Sequence, residues 1–206
     1  MIERFTTGLM LTNSYIISNE KKECIIIDPG LDYKDVFEYI KKNYEPKAIL
    51  LTHSHFDHID GINYFLDLPI YISEKESEFL YDDYYSLYEM VDRINPFNEG
   101  MLDLKKLKDG DILSLIGFNF KVIETPGHTI GSICFLMDNY LFSGDTLFNM
   151  SIGRTDFPNS DYNMMIESLN KLKKLPKDII LYPGHNEKST IGYEILNNPF
   201  LQLKSE

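Results

Sequence analysis

Residues 52–58, with the sequence THSHFDH, constrain this chain more than any other segment. They hold three of its five histidines and one carboxylate. They follow the apolar run 48–51, which predicts a buried strand. His53 and His55 are two residues apart, so in extended backbone both rings face the same way. Imidazole and carboxylate groups suit zinc, and also iron or manganese. The segment therefore predicts a metal site at the end of a strand.

The composition favours a globular protein of the cytoplasm. The 206 residues are 43% hydrophobic, enough for a substantial core. We see no apolar stretch of membrane-spanning length and no signal peptide, so no membrane partner is expected. Cys24 and Cys134 lie in apolar runs and are interpreted as buried, reduced thiols. A net charge of −12 argues against nucleic-acid partners. The oligomeric state is left open.

The hydrophobic pattern predicts a single α/β domain over residues 1–206, with two sheets inside and helices outside. The predicted helices cover residues 32–43, 59–66, 161–174 and 188–196. The predicted strands cover residues 14–19, 23–28, 48–51, 70–72, 111–116, 118–124, 131–137, 140–143 and 178–182. Residues 105–108 and 171–174 are lysine-rich and are interpreted as solvated helix faces.

A stripe of tyrosines lies in the segment 74–99. Tyr81, Tyr84, Tyr85 and Tyr88 fall at helical spacing. One interpretation is a helix that packs its aromatic stripe on the domain. The other is the wall of a lid that contacts substrate.

Further ligand candidates also follow predicted strands. His128 and His185 each come after a Pro-Gly pair, and Asp145 follows the strand 140–143. Sites in α/β folds commonly form where strands end. Seven candidates in all fit two metals that share a bridging ligand.

These motifs, in this order, resemble the metallo-β-lactamase superfamily over residues 28 to 185. The resemblance implies a four-layer αβ/βα sandwich with two divalent metal ions, zinc first and iron or manganese as alternatives. It implies a set of ligands that comprises His53, His55 and His128 for one metal, Asp57, His58 and His185 for the other, and Asp145 as a bridge. Asp28 would support the cluster, or it would only form the turn of Asp28-Pro29-Gly30.

Residues 143–148 and 151–156 are similar to the glyoxalase II branch, the hydroxyacylglutathione hydrolases. The end of the chain, residues 198–201, looks like the short single-domain bacterial members of that branch. The chain ends soon after His185, without the helical domain that supplies glutathione contacts in the longer members. The reaction class is therefore expected to carry over better than the glutathione specificity. Zinc β-lactamases of the commonest type carry Cys at the position of Asp145, which argues against that activity.

The expected reaction is hydrolysis of a thioester in a small-molecule substrate. A hydroxide that bridges the metals would attack the thioester carbonyl, and Asp57 would orient this hydroxide. If all five histidines are ligands, none is left as a general acid. A thiolate suits such a site, because the pKa of a thiol is only about 8.5. The alternatives are a lactone hydrolase, a binding module without turnover, and a persulfide dioxygenase. The dioxygenase would hold one iron through His53, His128 and Asp145.

Arg154 follows the expected bridging aspartate within one loop. Two roles are open for its side chain. It would anchor an anionic substrate or orient a nearby carboxylate, or it would form a structural ion pair with Asp156.

Overall fold

The first half of the chain forms a six-stranded sheet in the order β1 to β6. The structure, a computed structural model, describes residues 1–202, so residues 203–206 of the predicted single domain lie outside the described part. The strands are β1 (Ile2–Thr7), β2 (Thr12–Ser18), β3 (Glu23–Ile27), β4 (Glu45–Leu50), β5 (Ile70–Ser73) and β6 (Leu104–Leu107). Strands β3 to β6 run parallel, so their carboxyl ends lie at one edge of the sheet.

The second half forms another six-stranded sheet, in the order β14-β13-β10-β9-β8-β7. These strands are β7 (Ile112–Leu115), β8 (Phe118–Glu124), β9 (Ile133–Met137), β10 (Tyr140–Gly144), β13 (Ile180–Pro183) and β14 (Ser189–Thr190). A small hairpin is formed by β11 (Leu147–Phe148) and β12 (Ser151–Ile152). Strands β10 and β13 are parallel, so Asp145 and His185 leave the sheet at the same end.

Helices lie outside the two sheets. The α-helices are α1 (Lys34–Asn43), α2 (Phe56–Ile59), α3 (Tyr162–Leu172) and α4 (Ile191–Asn197). Short 3-10 helices cover Asp60–Tyr64, Phe79–Tyr81, Glu89–Val91 and Pro199–Leu201. Within residues 1–202, no helix has both the length and the apolar character needed to cross a membrane.

The layers follow from the alternation of side chains along buried strands. On β3, Ile25 and Ile27 face the core between the two sheets, whereas Cys24 and Ile26 face the core beneath α1. A strand buried on both faces has a nearly continuous apolar sequence, which is why the sequence predicted it well. A third core lies between the second sheet and α3. The predicted αβ/βα sandwich is confirmed, and both cysteines are buried and free of disulfides.

The predicted tyrosine helix is wrong. Residues 79–91 form turns between two single-turn 3-10 helices. The backbone enters the left-handed region at Leu87, with φ of 64°, which interrupts any α-helix there. The tyrosines consequently share no face: Tyr84 is 56% exposed, while Tyr88 is buried and donates a hydrogen bond to Asp60.

The interpretation of residues 105–108 as a helix face is also wrong, because Leu104–Leu107 is the edge strand β6. Its exposed lysines, Lys105 and Lys106, suit an edge, where charge discourages pairing with another chain. The opposite edge strand, β1, was not predicted. Its sequence, IERFTT, is only partly buried and lacks a clear apolar run.

Candidate metal centre

The seven predicted ligands converge at one edge of the sandwich, because each follows the end of a strand. His53 and His55 lie in the loop after β4, and α2 carries the next two candidates. His128 follows β8, Asp145 follows β10 and His185 follows β13. All seven are buried except His185, whose side chain is 21% exposed. Ligands from both sheets therefore meet in one buried cluster, of which His185 is the most exposed member.

Three histidines form the first group of possible ligands. One nitrogen each of His53, His55 and His128 lies within 4.8 Å of the others. Nε2 of His128 is 2.8 Å from Nδ1 of His55. On its other side, His128 donates from Nδ1 to the carbonyl of Arg154 at 2.8 Å. That bond leaves the lone pair of a neutral His128 on Nε2, facing its partner histidine.

Asp57, His58 and His185 form the second group, also within 4.8 Å. Nε2 of His185 is 3.4 Å from Oδ2 of Asp57, and Nε2 of His58 is 3.5 Å from the same oxygen. Thr12 donates its hydroxyl to this oxygen at 2.6 Å. The carboxylate is thus held in place by β2 while the two imidazoles face it.

Asp145 lies between the two groups. Its Oδ2 is 3.4 Å from Nε2 of His128 and 3.4 Å from Nε2 of His185. Its Oδ1 is 3.3 Å from Nε2 of His58. One carboxylate thereby faces both groups, which is the position that a bridging ligand requires. Gly184 makes this approach possible, because a Cβ there would lie 2.2 Å from Oδ1 of Asp145.

The chemistry of these atoms fits bound cations. Within residues 1–202, four buried atoms of the cluster have no hydrogen-bond partner: Nε2 of His53, His55 and His58, and Oδ1 of Asp145. Unpaired buried polar atoms are costly in a folded protein, and they are rare unless an ion or ligand satisfies them. Imidazole and carboxylate are also the ligand types that zinc, iron and manganese accept.

The first group is poised as neutral imidazole. Burial lowers the pKa of His53 and His55 well below the usual histidine value, and neighbouring histidines lower it further. Burial also lowers the pKa of His128, although Asp145 opposes this. A neutral imidazole presents the lone pair that a metal needs, so this group needs no proton removed before it binds one.

The second group attracts positive charge. Burial acts to lower the pKa of His58 and His185, but the carboxylates of Asp57 and Asp145 outweigh it. As a result the pKa of His58 lies well above the usual value, and that of His185 rises to about 10. Burial would conversely raise the pKa of both aspartates, but the histidines lower it. A divalent cation would take the place of these protons.

Asp28 supports the cluster through two histidines. Its Oδ2 accepts from Nδ1 of His58 at 3.0 Å and from the hydroxyl of Thr52 at 2.6 Å. The hydroxyl of Thr52 in turn lies 3.1 Å from Nδ1 of His53. Oδ1 of Asp28 accepts from the Thr52 backbone N–H at 2.8 Å. Because a carboxylate only accepts, Nδ1 of each ring carries a proton, and Nε2 of each ring faces the cluster.

The side chain of Arg154 contacts Asp156 and Phe157. Its guanidinium forms a two-bond ion pair with Asp156, at 2.8 Å for each bond, and both side chains are exposed. It also lies over the ring of Phe157, 4.1 Å from the centroid. Of the two roles left open for Arg154, the structural ion pair is the one observed. Its contact with the cluster is its backbone carbonyl.

Sequence reasoning missed three residues that hold the cluster: Thr12, Thr52 and Glu76. Thr52 lies inside the motif of residues 52–58, but the sequence assigns it no ligand or supporting role. Thr12 precedes the predicted strand 14–19, with nothing local to mark it. Glu76 lies in the segment 74–99 and reaches the loops of His53 and His128 only in three dimensions.

Comparison with known proteins agrees with this geometry. A family model described as the metallo-beta-lactamase superfamily matches residues 7–185. The hydroxyacylglutathione hydrolase GloC of Haemophilus influenzae is 38% identical over 202 residues, 94% of each chain. Among solved structures, BLEG-1 B3 metallo-beta-lactamase has a TM-score of 0.90 at 36% identity and covers 98% of this chain and 99% of its own. TTHA1623 in a di-iron-bound form has a TM-score of 0.83 at 32% identity and covers 97% of this chain and 100% of its own. The chain belongs to the metallo-beta-lactamase superfamily.

Proposed function

We propose that this metallo-hydrolase cleaves thioesters of the hydroxyacylglutathione kind at a centre for two divalent metal ions. The observation that carries the proposal is the position of Asp145 between two groups of ligands, with Oδ2 at 3.4 Å from a histidine of each. His53, His55 and His128 would hold one ion, and Asp57, His58 and His185 the other. Bound ions would acidify a water molecule and polarise the carbonyl of the substrate.

The residues of the chain would direct the reaction. Asp57 is fixed by the hydroxyl of Thr12 and would accept a hydrogen bond from the attacking water, which sets its direction. Asp28 would hold a proton on Nδ1 of His58 directly and on Nδ1 of His53 through Thr52, so that Nε2 of each ring is the atom that binds an ion. All five histidines serve as ligands, so none remains to protonate a leaving group. A thiolate leaves without strong acid assistance, whereas the nitrogen of an amide does not.

The relatives support the class of reaction. The Haemophilus influenzae relative is named for a hydrolase of hydroxyacylglutathione, which is a thioester. The solved structure TTHA1623 is titled as a di-iron form, so iron stays beside zinc and manganese as a candidate metal. The convergence of seven candidate ligands favours two ions over the single iron of a persulfide dioxygenase, which would leave His55, Asp57, His58 and His185 without a role.

The test is a substrate panel combined with elemental analysis. The purified protein, loaded in turn with zinc, iron or manganese, is assayed with S-lactoylglutathione, thioesters of other thiols, a lactone, a β-lactam and a persulfide. The β-lactam is included because BLEG-1 is titled a β-lactamase. We expect about two ions per chain and the highest kcat/KM with thioesters. One ion per chain with oxygen consumption on the persulfide would overturn the proposal, as would a clear preference for the lactone or the β-lactam.

A further inference from the structure

Glu76 is a fully buried carboxylate that lies beyond the end of β5. Both of its oxygens are occupied twice. Oε1 accepts from the backbone N–H of Ser54 at 3.0 Å and from its hydroxyl at 2.7 Å. Oε2 accepts from the hydroxyl of Thr129 at 2.9 Å and from the backbone N–H of Gly131 at 3.1 Å. All four partners donate to Glu76 and all four are neutral, so the side chain is a buried carboxylate held by hydrogen bonds without a cation.

The partners of Glu76 show what it connects. Ser54 stands between His53 and His55, in the loop that leaves the first sheet. Thr129 directly follows His128, in the loop that leaves the second sheet. The ring nitrogens of His55 and His128, 73 residues apart in sequence, lie at 2.8 Å from each other. Glu76 therefore joins the two loops that must meet for the three-histidine group to exist.

The second loop is shaped to admit this carboxylate. A Cβ on Gly131 would lie 2.5 Å from Oε2 of Glu76 and 2.6 Å from its backbone nitrogen. Contacts below 3.0 Å force a shift, so any larger residue would push the loop away from Glu76. The absence of a side chain at position 131 allows its N–H to reach the carboxylate.

A buried anion with neutral partners is an expensive way to hold two loops together. Burial raises the pKa of Glu76, and the hydrogen bonds from Ser54 and Thr129 oppose that rise. Apolar packing of similar volume would stabilise a fold at lower cost. What the carboxylate provides instead is a fixed distance and direction, since four donors converge on two oxygens of one rigid group.

We propose that Glu76 is a positioning residue for the three-histidine group, holding the loop of His53 and His55 against the loop of His128 so that one metal ion is bound between them. This inference rests on the proposed metal centre, not on the identity of the substrate. It separates Glu76 from Asp28, which contacts His58 of one group directly and reaches His53 of the other through Thr52.

The substitution Glu76→Gln tests this role with little change of volume. A glutamine has one oxygen and one NH2 group. If its oxygen faces Ser54, the NH2 faces the backbone N–H of Gly131, and in the reverse orientation it faces the backbone N–H of Ser54. The two hydroxyls can turn to accept from the NH2, but a backbone N–H cannot. One loop therefore loses a hydrogen bond to residue 76 in either orientation. Contacts that support metal ligands from outside are worth about 10–100-fold in metal affinity.

The measurement is the titration of metal-free full-length protein with Co²⁺, followed by visible absorption. Glu76→Gln is placed in two backgrounds: His185→Ala, which keeps the three-histidine group, and His55→Ala, which keeps the group of Asp57, His58 and His185. We expect a Kd for Co²⁺ at least tenfold higher, with an altered spectrum, in the first background and no change in the second.

The matched control is Glu194→Gln. Glu194 is equally buried and accepts hydrogen bonds from Met150, Ser189 and Asn198, none of which adjoins a ligand. The substitution Glu194→Gln should lower the unfolding midpoint and leave the Kd for Co²⁺ of both groups unchanged. If Glu76→Gln proves too unstable to purify, Thr129→Val removes one of the four donors and should raise the Kd of the three-histidine group by a smaller factor.

Equal weakening of both groups by Glu76→Gln, or an unchanged Kd in the His185→Ala background, would overturn the inference. An unchanged Kd with Thr129→Val, where that variant is used, would do the same. Wild-type protein that binds no Co²⁺ would overturn the metal centre itself. Thioester hydrolysis is not part of this readout, so a failure of the proposed substrate class leaves the result on Glu76 interpretable.

Discussion

The substitution Asp28→Asn is expected to weaken both metal sites by reversing the protonation of two histidines. Oδ1 of Asp28 accepts the backbone N–H of Thr52 at 2.8 Å, a bond that only an oxygen can make. The new amide nitrogen would then replace Oδ2, which accepts from Nδ1 of His58 and from the Thr52 hydroxyl. An NH2 group there donates to Nδ1 of His58 and moves its proton to Nε2, the atom 3.3 Å from Asp145.

The same change reaches the other site through Thr52. With an amide NH2 beside it, the hydroxyl of Thr52 accepts instead of donating. It then donates to Nδ1 of His53, 3.1 Å away, and the proton of that ring moves to Nε2 as well. Nε2 of His53 and Nε2 of His58 are two of the four buried cluster atoms that have no hydrogen-bond partner among residues 1–202. A proton on either blocks a metal–ligand bond.

The magnitude follows from the number of bonds that change. The outer hydrogen bond of each histidine is reversed, and disturbing such a bond costs about 10–100-fold in metal affinity. This is about 1.4–2.8 kcal/mol for each site. Because one histidine of each group is affected, both ions should be weakened to a similar degree. This distinguishes Asp28→Asn from Glu76→Gln.

The assay is competition for zinc between the protein and a chromophoric chelator, with elemental analysis after dialysis. The control is Asp32→Asn, since Asp32 is exposed and has nearly the same backbone, with φ of 53° against 49° at Asp28. Thr52→Val should affect only the site of His53. If Asp28→Asn retains both ions with the affinity of the wild type, the hydrogen bonds of Asp28 do not set the protonation of these rings, and the reasoning is refuted.

Three further expectations follow from the contacts. The Asp145→Ala variant should lose both ions and turnover together, because Oδ2 of Asp145 faces a histidine of each group. If elemental analysis finds both ions in this variant, Asp145 is not the bridging ligand. Arg154→Ala should leave metal content and KM unchanged, because the backbone carbonyl that accepts from His128 is kept. It should shift the unfolding midpoint only slightly, because the ion pair with Asp156 is exposed. A marked rise in KM would instead show that the guanidinium anchors substrate. Burial raises the pKa of Cys24 to about 12 and that of Cys134 to about 11. Thiol reagents at pH 8 should therefore modify neither cysteine until the protein unfolds. Fast labelling of the native protein would contradict their burial.

Strands buried on both faces were predictable from sequence, whereas the edge strands β1 and β6 and the turns of residues 79–91 were not. A strand such as β3 is an apolar run because both of its faces lie in a core. Edge strands need no such run, and β1 and β6 have sequences too polar to be recognised. The tyrosine stripe failed for another reason. Spacing of three and four residues matches a helix, but the positive φ at Leu87 is a property of the folded loop that spacing does not report.

The candidate site divides along a similar line. Metal ions bind particular side chains, so histidines and aspartates at the ends of predicted strands could be identified from the sequence as candidate ligands. The groups that hold those side chains obey no such restriction. Glu76 meets its partners 22 and 53 residues away, with no local motif to mark it. His128 is oriented by a backbone carbonyl, which any residue at position 154 would supply. Arg154, which sequence analysis selects, therefore contacts the site through its main chain. Glu76, which no sequence motif marks, contacts the loops of the site through its side chain.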